Sequence, residues 1–241
     1  MGAMIRAESR ERSSLALAAV MLACLAAASM AQAPPPSPDS VAGPLTGQAN
    51  WQLLQYSRLP PHRIRFSGAG LEIMVDGSAM PLIHPLLRPV RVKSFRVKGR
   101  IDGMLRVPAE RQGEENFDDY AFRIGLVEPG ERSLNFLQRQ FAAAWVRKLF
   151  ELAPKGRGIS RIHFFNVGTH ENQIGRQRQH PLSDLILETV VAVPGPDGRF
   201  DLVHALERPL ETIAIWLSSD GDDTGSKFQV LVEEIELRSA P

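Results

Sequence analysis

The sequence predicts an all-β fold, an antiparallel β-sandwich with one inserted amphipathic helix. Three observations predict it. Short segments alternate apolar and polar side chains, Gly, Pro and Asp residues bound these segments, and a single segment has the three-to-four-residue spacing of a helix. Roughly ten such strands without strand–helix alternation are typical of a sandwich or a barrel.

The clearest strands show this alternation directly. Leu71, Ile73 and Val75 alternate with polar residues and stop at an Asp-Gly turn signal. The same pattern recurs over 120–126 and over 213–217. The other predicted strands are 51–56, 62–66, 80–87, 90–101, 160–167, 185–193, 200–206 and 228–237.

Two of these strands change face partway. The apolar positions of 90–101 change parity after Val92, and those of 228–237 change parity after Val232. A one-residue slip moves every side chain to the opposite face, so each strand is expected to contain a bulge or a sharp bend. Bent strands of this kind predict a jelly-roll-like sandwich.

One segment has helical spacing. It begins at Ser133, a suitable N-cap, and ends at Pro154. Its apolar residues are Leu134, Leu137, Phe141, Trp145, Leu149 and Leu152. The sequence therefore predicts an amphipathic helix near 133–153. Two hypotheses follow: the helix covers an edge of the core, or it docks on a partner or membrane through its apolar face, with Arg139, Arg147 and Lys148 on its polar side.

The first 33 residues predict export. Arg6, Arg10 and Arg12 precede a short apolar run over 15–28, and small residues follow it. This order is that of a secretory signal peptide, and the run is too short and too rich in Ala for a membrane span. We therefore expect a mature chain without a transmembrane span, in the periplasm or secreted.

Two features refine this expectation. Cys24 is the only cysteine, so a mature chain that starts after residue 33 cannot form an internal disulfide. The alternative is a lipoprotein attached through Cys24, since Met-Leu-Ala-Cys is an imperfect version of the lipid-attachment motif. The stretch 34–49 begins with Pro-Pro-Pro-Ser-Pro and is predicted to be a linker, followed by one β-sandwich domain over 50–241.

The charge of the domain argues against nucleic acid as a partner. The chain has 28 basic and 27 acidic side chains, and removal of residues 1–33 takes away three Arg and two Glu, which leaves 25 of each. Binding to phosphates needs a basic excess. We therefore expect no nucleic-acid partner, and the oligomeric state is left open.

The strand near residue 120 contains the first ligand-binding candidates. Asp119 and Arg123 point to the same face of a regular strand but lie about 13 Å apart by strand rise, so each needs another partner. Asn166 on a later strand and Trp216 on the strand 213–217 complete the predicted ligand-binding set. The alternative is cross-strand ion pairs on a solvated face.

An acidic turn at 218–225 contains the metal candidates. Asp220, Asp222 and Asp223 place three carboxylates within four residues, and such carboxylates repel one another unless a cation or donors screen them. The segment predicts a structural Ca²⁺ site, with a plain acidic turn as the alternative. Leu231 stands where an EF-hand has its bidentate Glu, so the loop is not an EF-hand.

The sequence gives little support for catalysis. No Gly-x-Ser-x-Gly elbow occurs, the segment after residue 33 has no Cys, and no pair of His residues has the spacing of a zinc site. A pair of carboxylates for glycoside hydrolysis could be assembled from Asp119, Glu188 and the acidic turn. No catalytic residue is predicted.

The order of these motifs resembles a known family. The segment 118–123 reads Asp-Asp-Tyr-Ala-Phe-Arg, and 220–225 reads Asp-Gly-Asp-Asp-Thr-Gly just before the last strand. This order resembles the secreted bacterial family known as domain of unknown function 3047. The resemblance spans about residues 50–239. It implies a jelly-roll sandwich similar to carbohydrate-binding modules, with a periplasmic location.

Three functional hypotheses remain. The leading one is a non-catalytic binding module for an envelope or extracellular polysaccharide, which uses Asp119, Arg123, Asn166 and Trp216. The second is a polysaccharide-acting hydrolase or lyase. The third is a structural accessory protein of the cell envelope that docks through the helix near 133–153.

Overall fold

A computed structural model describes residues 40–42, 45, 47–48, 50–142, 144–181 and 183–240. The predicted signal peptide and Cys24 lie outside these residues, as does most of the predicted linker. Within the described residues, the polypeptide has no helix with the length and hydropathy that a membrane crossing requires.

Strands dominate the chain, which confirms the all-β prediction. They are β1 Ser40–Ala42, β2 Gln52–Leu53, β3 Arg63–Ser67, β4 Gly70–Asp76, β5 Leu82–Met104, β6 Phe122–Gly130, β7 Gly158–Val167, β8 Gln177–Gln179, β9 Ile186–Ala192, β10 Arg199–Ser218 and β11 Lys227–Ser239. Ser40–Ala42 lies in the predicted linker, yet it forms a strand because it pairs with β11.

The strands form one sheet in the order β3-β4-β11-β5-β10-β6-β7-β9-β8, with β1 on β11 and β2 on β5. Phe95 of β5 and Phe165 of β7 are three places apart in this order, or about 14 Å across a flat sheet. Their ring centroids are 4.8 Å apart. The sheet therefore curls over, and its two halves pack face to face as the predicted sandwich.

The predicted changes of face are confirmed. On β5 the register shifts between Val92 and Ser94, and on β11 it shifts between Val232 and Glu234. Each shift moves the following apolar residues back to the inner face. The long strand β10 pairs with β5 over most of its length and with β6 over 214–218, and so it joins these two strands.

The pairing of β7 with β9 differs from the prediction of a purely antiparallel sandwich. These two strands are parallel, so the sheet is mixed. A parallel pair needs a crossover, and the chain between the two strands makes a 3₁₀ turn at Glu171–Gln173 and the short strand β8. β8 then lies antiparallel to β9 at the edge of the sheet.

The predicted helix is two shorter helices. The helix α1 spans Phe136–Phe141 and α2 spans Ala144–Glu151. Asn135, rather than Ser133, is the N-cap of α1, because its side chain accepts a hydrogen bond from the amide of Gln138. Ala142 is extended, with ψ at 145°, and ends α1.

The helix α2 covers a second core on the outer face of the sheet. Leu149 and Phe150 are buried in this core, and Trp145 lies edge-on to Trp216 at 5.8 Å. The described apolar residues of α2 thus pack inward, which supports the hypothesis that the helix covers the core. Leu137 of α1 is exposed, and it is the one large apolar residue that is exposed among the described side chains of the two helices.

Candidate functional site

The candidate site begins with a row of residues across four strands. The register places Arg123 of β6 between Ser218 of β10 and Asn166 of β7, and places Asn166 next to Val190 of β9. Residues opposite one another on paired strands project from the same face. Phe122 and Ile124 flank Arg123 and point into the main core, so Arg123 projects from the outer face.

Arg123 is the centre of a buried charge network. Its Nη1 lies 3.2 Å from Glu188 Oε1, and its Nη2 lies 3.0 Å from Asp220 Oδ2. Its Nη2 also donates to the carbonyl of Asp118, and the guanidinium lies 4.6 Å from the Tyr120 ring centroid. Burial lowers the pKa of Arg123, but the surrounding carboxylates outweigh it and hold the pKa above its usual value. Arg123 is therefore charged.

Arg178 of β8 is the second cation of the network. Its Nη2 lies 2.5 Å from Glu188 Oε2 and also contacts Asp118 Oδ1. His180 Nε2 lies 3.0 Å from Asp118 Oδ2. Burial raises the pKa of Asp118, but the hydrogen bond from His180 and the charges of Arg123 and Arg178 lower it further, so the net shift is downward.

Asp220 differs from the other carboxylates. It accepts a 2.8 Å hydrogen bond from Ser218 Oγ and pairs with Arg123. Burial raises its pKa to about 7, because the charged form is poorly solvated and Arg123 compensates only in part. Asp220 therefore titrates near neutral pH.

A small cavity of about 60 Å³ lies beside this network. Its lining residues are Gln112, Tyr120, Asn166, Arg176, Gln177, Arg178, Glu188 and Val190, which we call the polar pocket. Gln112 is held in place, since its Nε2 donates to the Asp119 carbonyl and its Oε1 accepts from Thr169. The cavity is large enough for a few water-sized polar groups.

Asn166 is the unusual residue of the polar pocket. It is 0% exposed, yet neither its amide nitrogen nor its amide oxygen has a hydrogen-bond partner within the described chain. An unpaired buried polar group costs about 1–3 kcal/mol, and buried side-chain amides are normally paired. Asn166 therefore presents an NH₂ donor group and a carbonyl acceptor that the described part of the protein does not use.

Three residues of the network satisfy the distances of a metal site. The ligand atoms of Asp118, His180 and Glu188 lie within 4.8 Å of one another, and the described residues contain no second group of this kind. However, the guanidinium of Arg178 contacts both carboxylates of this group. A cation of the protein thus already occupies the position beside these carboxylates that a metal ion would take.

The acidic turn is structured by hydrogen bonds to separate partners. Asp119 accepts from the amides of Asp223 and Thr224 at 3.2 and 2.9 Å and from the Thr224 hydroxyl at 2.6 Å. Asp223 accepts from the amide of Asp118, and Asp220 pairs with Arg123. The predicted Ca²⁺ ligands Asp220, Asp222 and Asp223 are not brought together around one point in the described residues.

The structure groups two of the four predicted ligand-binding residues. Arg123 and Asn166 are neighbours in the row, but Asp119 is 1% exposed and holds the acidic turn. The structure corrects the prediction that Trp216 faces a ligand. The Trp216 side chain is 2% exposed and packs against Phe164 and Trp145. Its ring is enclosed because α2 covers that part of the outer face.

Sequence reasoning missed Asp118, Arg178 and His180. Of the acidic pair at 118–119, Asp118 is the one that contacts Arg123, because β6 begins only at Phe122 and the preceding residues do not follow strand alternation. Arg178 and His180 lie on or beside β8, which falls between the predicted strands 160–167 and 185–193 and outside both. The alternation Arg176, Arg178 and His180 at every second residue was the available signal.

No protein-family model and no curated protein matches this chain. Among solved structures, the xylan-binding module CBM15 is 8% identical with a TM-score of 0.37, over 83% of this chain and 96% of that module. The exoplasmic/lumenal domain of VIP36, in a form bound to Ca²⁺ and Man3GlcNAc, is 11% identical with a TM-score of 0.37. The match covers 84% of this chain and 89% of that domain. The apo Crh5 transglycosylase is 9% identical with a TM-score of 0.33, and the match covers 84% of this chain and 85% of that enzyme.

Proposed function

We propose that this domain is a non-catalytic binding module for a carbohydrate, and that the polar pocket is its binding site. The observation that carries the proposal is Asn166, which is fully buried, lines the cavity and leaves both amide atoms without a partner in the described chain. A ligand that supplies an acceptor and a donor side by side removes this penalty.

Adjacent hydroxyl groups of a sugar have the required chemistry. Each hydroxyl both donates and accepts, so two neighbouring hydroxyls can pair with the planar amide of Asn166. The Nε of Arg178 is a further buried donor without a hydrogen-bond acceptor in the described chain, and Arg178 also lines the cavity. The pocket is therefore suited to a ligand rich in hydroxyl groups.

The charge of the site favours a neutral carbohydrate. The cations Arg123 and Arg178 are already paired with Asp118, Glu188 and Asp220. An anionic ligand would have to break these pairs or add an uncompensated negative charge to a buried site, and both are costly.

The same geometry disfavours the hydrolase hypothesis. Glycoside hydrolysis by two carboxyl groups needs one that is protonated near neutral pH. The pKa of Asp118 is lowered, and Glu188 is held by both arginines. Asp220 has the raised pKa, but it is buried and faces Arg123. Asp119 accepts hydrogen bonds from the acidic turn, so it does not supply a free second carboxylate.

Titration calorimetry of the purified protein with a panel of neutral and anionic glycans tests the proposal. We expect a neutral glycan to bind, Asn166→Leu to abolish that binding, and the matched variant Asn172→Ala, on the exposed 3₁₀ turn, to bind as wild type does. Affinity should be nearly constant between about 0.05 and about 0.5 M salt, because salt screens only charge–charge attraction. Binding that survives Asn166→Leu unchanged, or no binding to any glycan, contradicts the proposal.

We also propose that the chain is exported and acts in the periplasm or outside the cell. The support is the basic, apolar and small-residue order of residues 1–33. Mass spectrometry of the protein recovered from the producing cell should find a new N-terminus after Ala31 or Ala33. A chain that retains Met1 contradicts export, and a lipid-modified N-terminal Cys24 indicates the lipoprotein alternative.

A further inference from the structure

The polar pocket is closed on most sides. Of its eight lining residues, Gln112, Tyr120, Asn166, Glu188 and Val190 are buried. The other three are consecutive residues at 176–178, and two of them are exposed. The pocket thus opens at one side, along β8 at the edge of the sheet, and a polymer has no second exit through it.

No aromatic ring is among the large apolar side chains that are mostly exposed in the described part of the chain, so none of these offers a platform for the interior of a glycan chain. Aromatic rings are the usual flat apolar contact surfaces of a binding site. The large apolar residues exposed among the described side chains are all aliphatic: Leu53, Leu87, Met104, Leu137, Ile174 and Val203. Tyr120, the aromatic residue of the pocket, is 3% exposed and lies against Arg123.

We infer that the pocket captures the end of a glycan chain, through a free pair of neighbouring hydroxyls on the terminal residue. This inference rests on the proposed function. A cavity of about 60 Å³ holds the hydroxyl edge of one sugar residue, not a whole oligosaccharide. The amide of Asn166 lies in a pocket with one opening. The terminal sugar residue of a glycan can enter such a pocket, whereas an interior residue would need a second opening for the rest of the glycan chain.

The experiment compares ligands of increasing length in titration calorimetry. The probes are the methyl glycosides of glucose, galactose and mannose and linear homo-oligosaccharides of the same sugars. End capture predicts one protein per chain at every length. It also predicts an affinity that changes by less than about threefold from methyl glycoside to the longest chain, because added residues lie outside the pocket.

Each outcome bears on a definite claim. Affinity that rises more than about tenfold with chain length, together with several proteins per long chain, overturns end capture but leaves carbohydrate binding intact. No heat with any probe, for the wild type as for Asn166→Leu, overturns both. A one-to-one complex that Asn166→Leu abolishes for methyl glycosides and long chains alike supports end capture.

Discussion

At the residue scale, the stability of an Asn166 variant shows whether this side chain stabilises the fold or is available for a ligand. Its amide makes no hydrogen bond within the described chain, so replacement by a similarly shaped apolar side chain removes an unpaired polar group without breaking a bond. We therefore predict that Asn166→Leu has a midpoint of thermal unfolding equal to or above that of the wild type. Differential scanning calorimetry of both proteins without ligand measures this.

A structural role for Asn166 predicts the opposite sign. If the amide were needed by the fold, Asn166→Leu would unfold at a lower temperature than the wild type. Asn172→Ala removes an exposed amide on the 3₁₀ turn between β7 and β8. It gives the effect on stability of removing an amide that is not buried.

Arg123 is predicted to be essential for stability. Arg123→Met leaves the buried carboxylates of Glu188 and Asp220 without their shared cation. Removal of one partner of a buried pair costs about 3–5 kcal/mol, which denaturant titration at neutral pH would detect. The double variant Arg123→Met with Asp220→Asn should recover part of the loss, because one uncompensated carboxylate is gone. If Arg123→Met alone leaves the free energy of unfolding unchanged, the network does not stabilise the protein.

The residues of the site were only partly predictable from the sequence. Arg123 and Asn166 stood out because a charged and an amide side chain occur in strands with apolar neighbours. Asp118 and Arg178 did not, since strand alternation gives the face of a residue only where the strand is regular. Asp118 precedes β6, and Arg178 lies on a strand of three residues.

At the element scale, Gly125 sets the spacing of β6, β7 and β10. A Cβ at this position would lie 2.8 Å from a ring carbon of Phe164 and 3.1 Å from Cβ of Trp216. Gly125→Ala should therefore destabilise the protein by about 1–3 kcal/mol, the typical cost of overpacking, as measured by denaturant titration. Gly68→Ala is the control, because nothing lies within 4 Å of its added Cβ. Equal stabilities for the two variants would contradict the close packing of Gly125 against Phe164 and Trp216.

The face changes of the long strands followed the sequence, but their bounds did not: the predicted strands 80–87 and 90–101 are one strand, β5, and 200–206 and 213–217 are one strand, β10. The apolar parity predicted both register shifts on β5 and β11, because burial of one face fixes the register of a strand. Two features escaped the pattern. β8 is short and polar, and the parallel pairing of β7 with β9 depends on how the intervening chain crosses over, which hydrophobic alternation does not encode.

At the scale of the whole molecule, Asp220 makes stability depend on pH. Its folded-state pKa is raised to about 7 from an ordinary value of 3.8. The folded state therefore binds more protons than the unfolded state between these values, and the stability that Asp220 contributes at low pH is lost as the pH rises through about 7. Asp220→Asn mimics the protonated acid and should show a flatter profile.

Denaturant titrations of both proteins at about pH 5 and about pH 8 measure this effect. His62 acts in the opposite direction, because burial lowers its pKa to about 4, so only the difference between the two proteins isolates Asp220. We predict that the wild type loses stability relative to Asp220→Asn from the lower to the higher pH. Parallel profiles would show that Asp220 ionises freely in the folded protein.

The claim that Asn166 contacts a sugar is tested most directly by nuclear magnetic resonance of its side-chain amide. The two amide protons of Asn166 are assigned from the signals that Asn166→Leu lacks, and the protein is titrated with the neutral glycan that binds best. We predict that both Asn166 signals shift and saturate with the same affinity as the calorimetric titration. Saturable binding that leaves these two signals unmoved would place the sugar elsewhere and contradict the account.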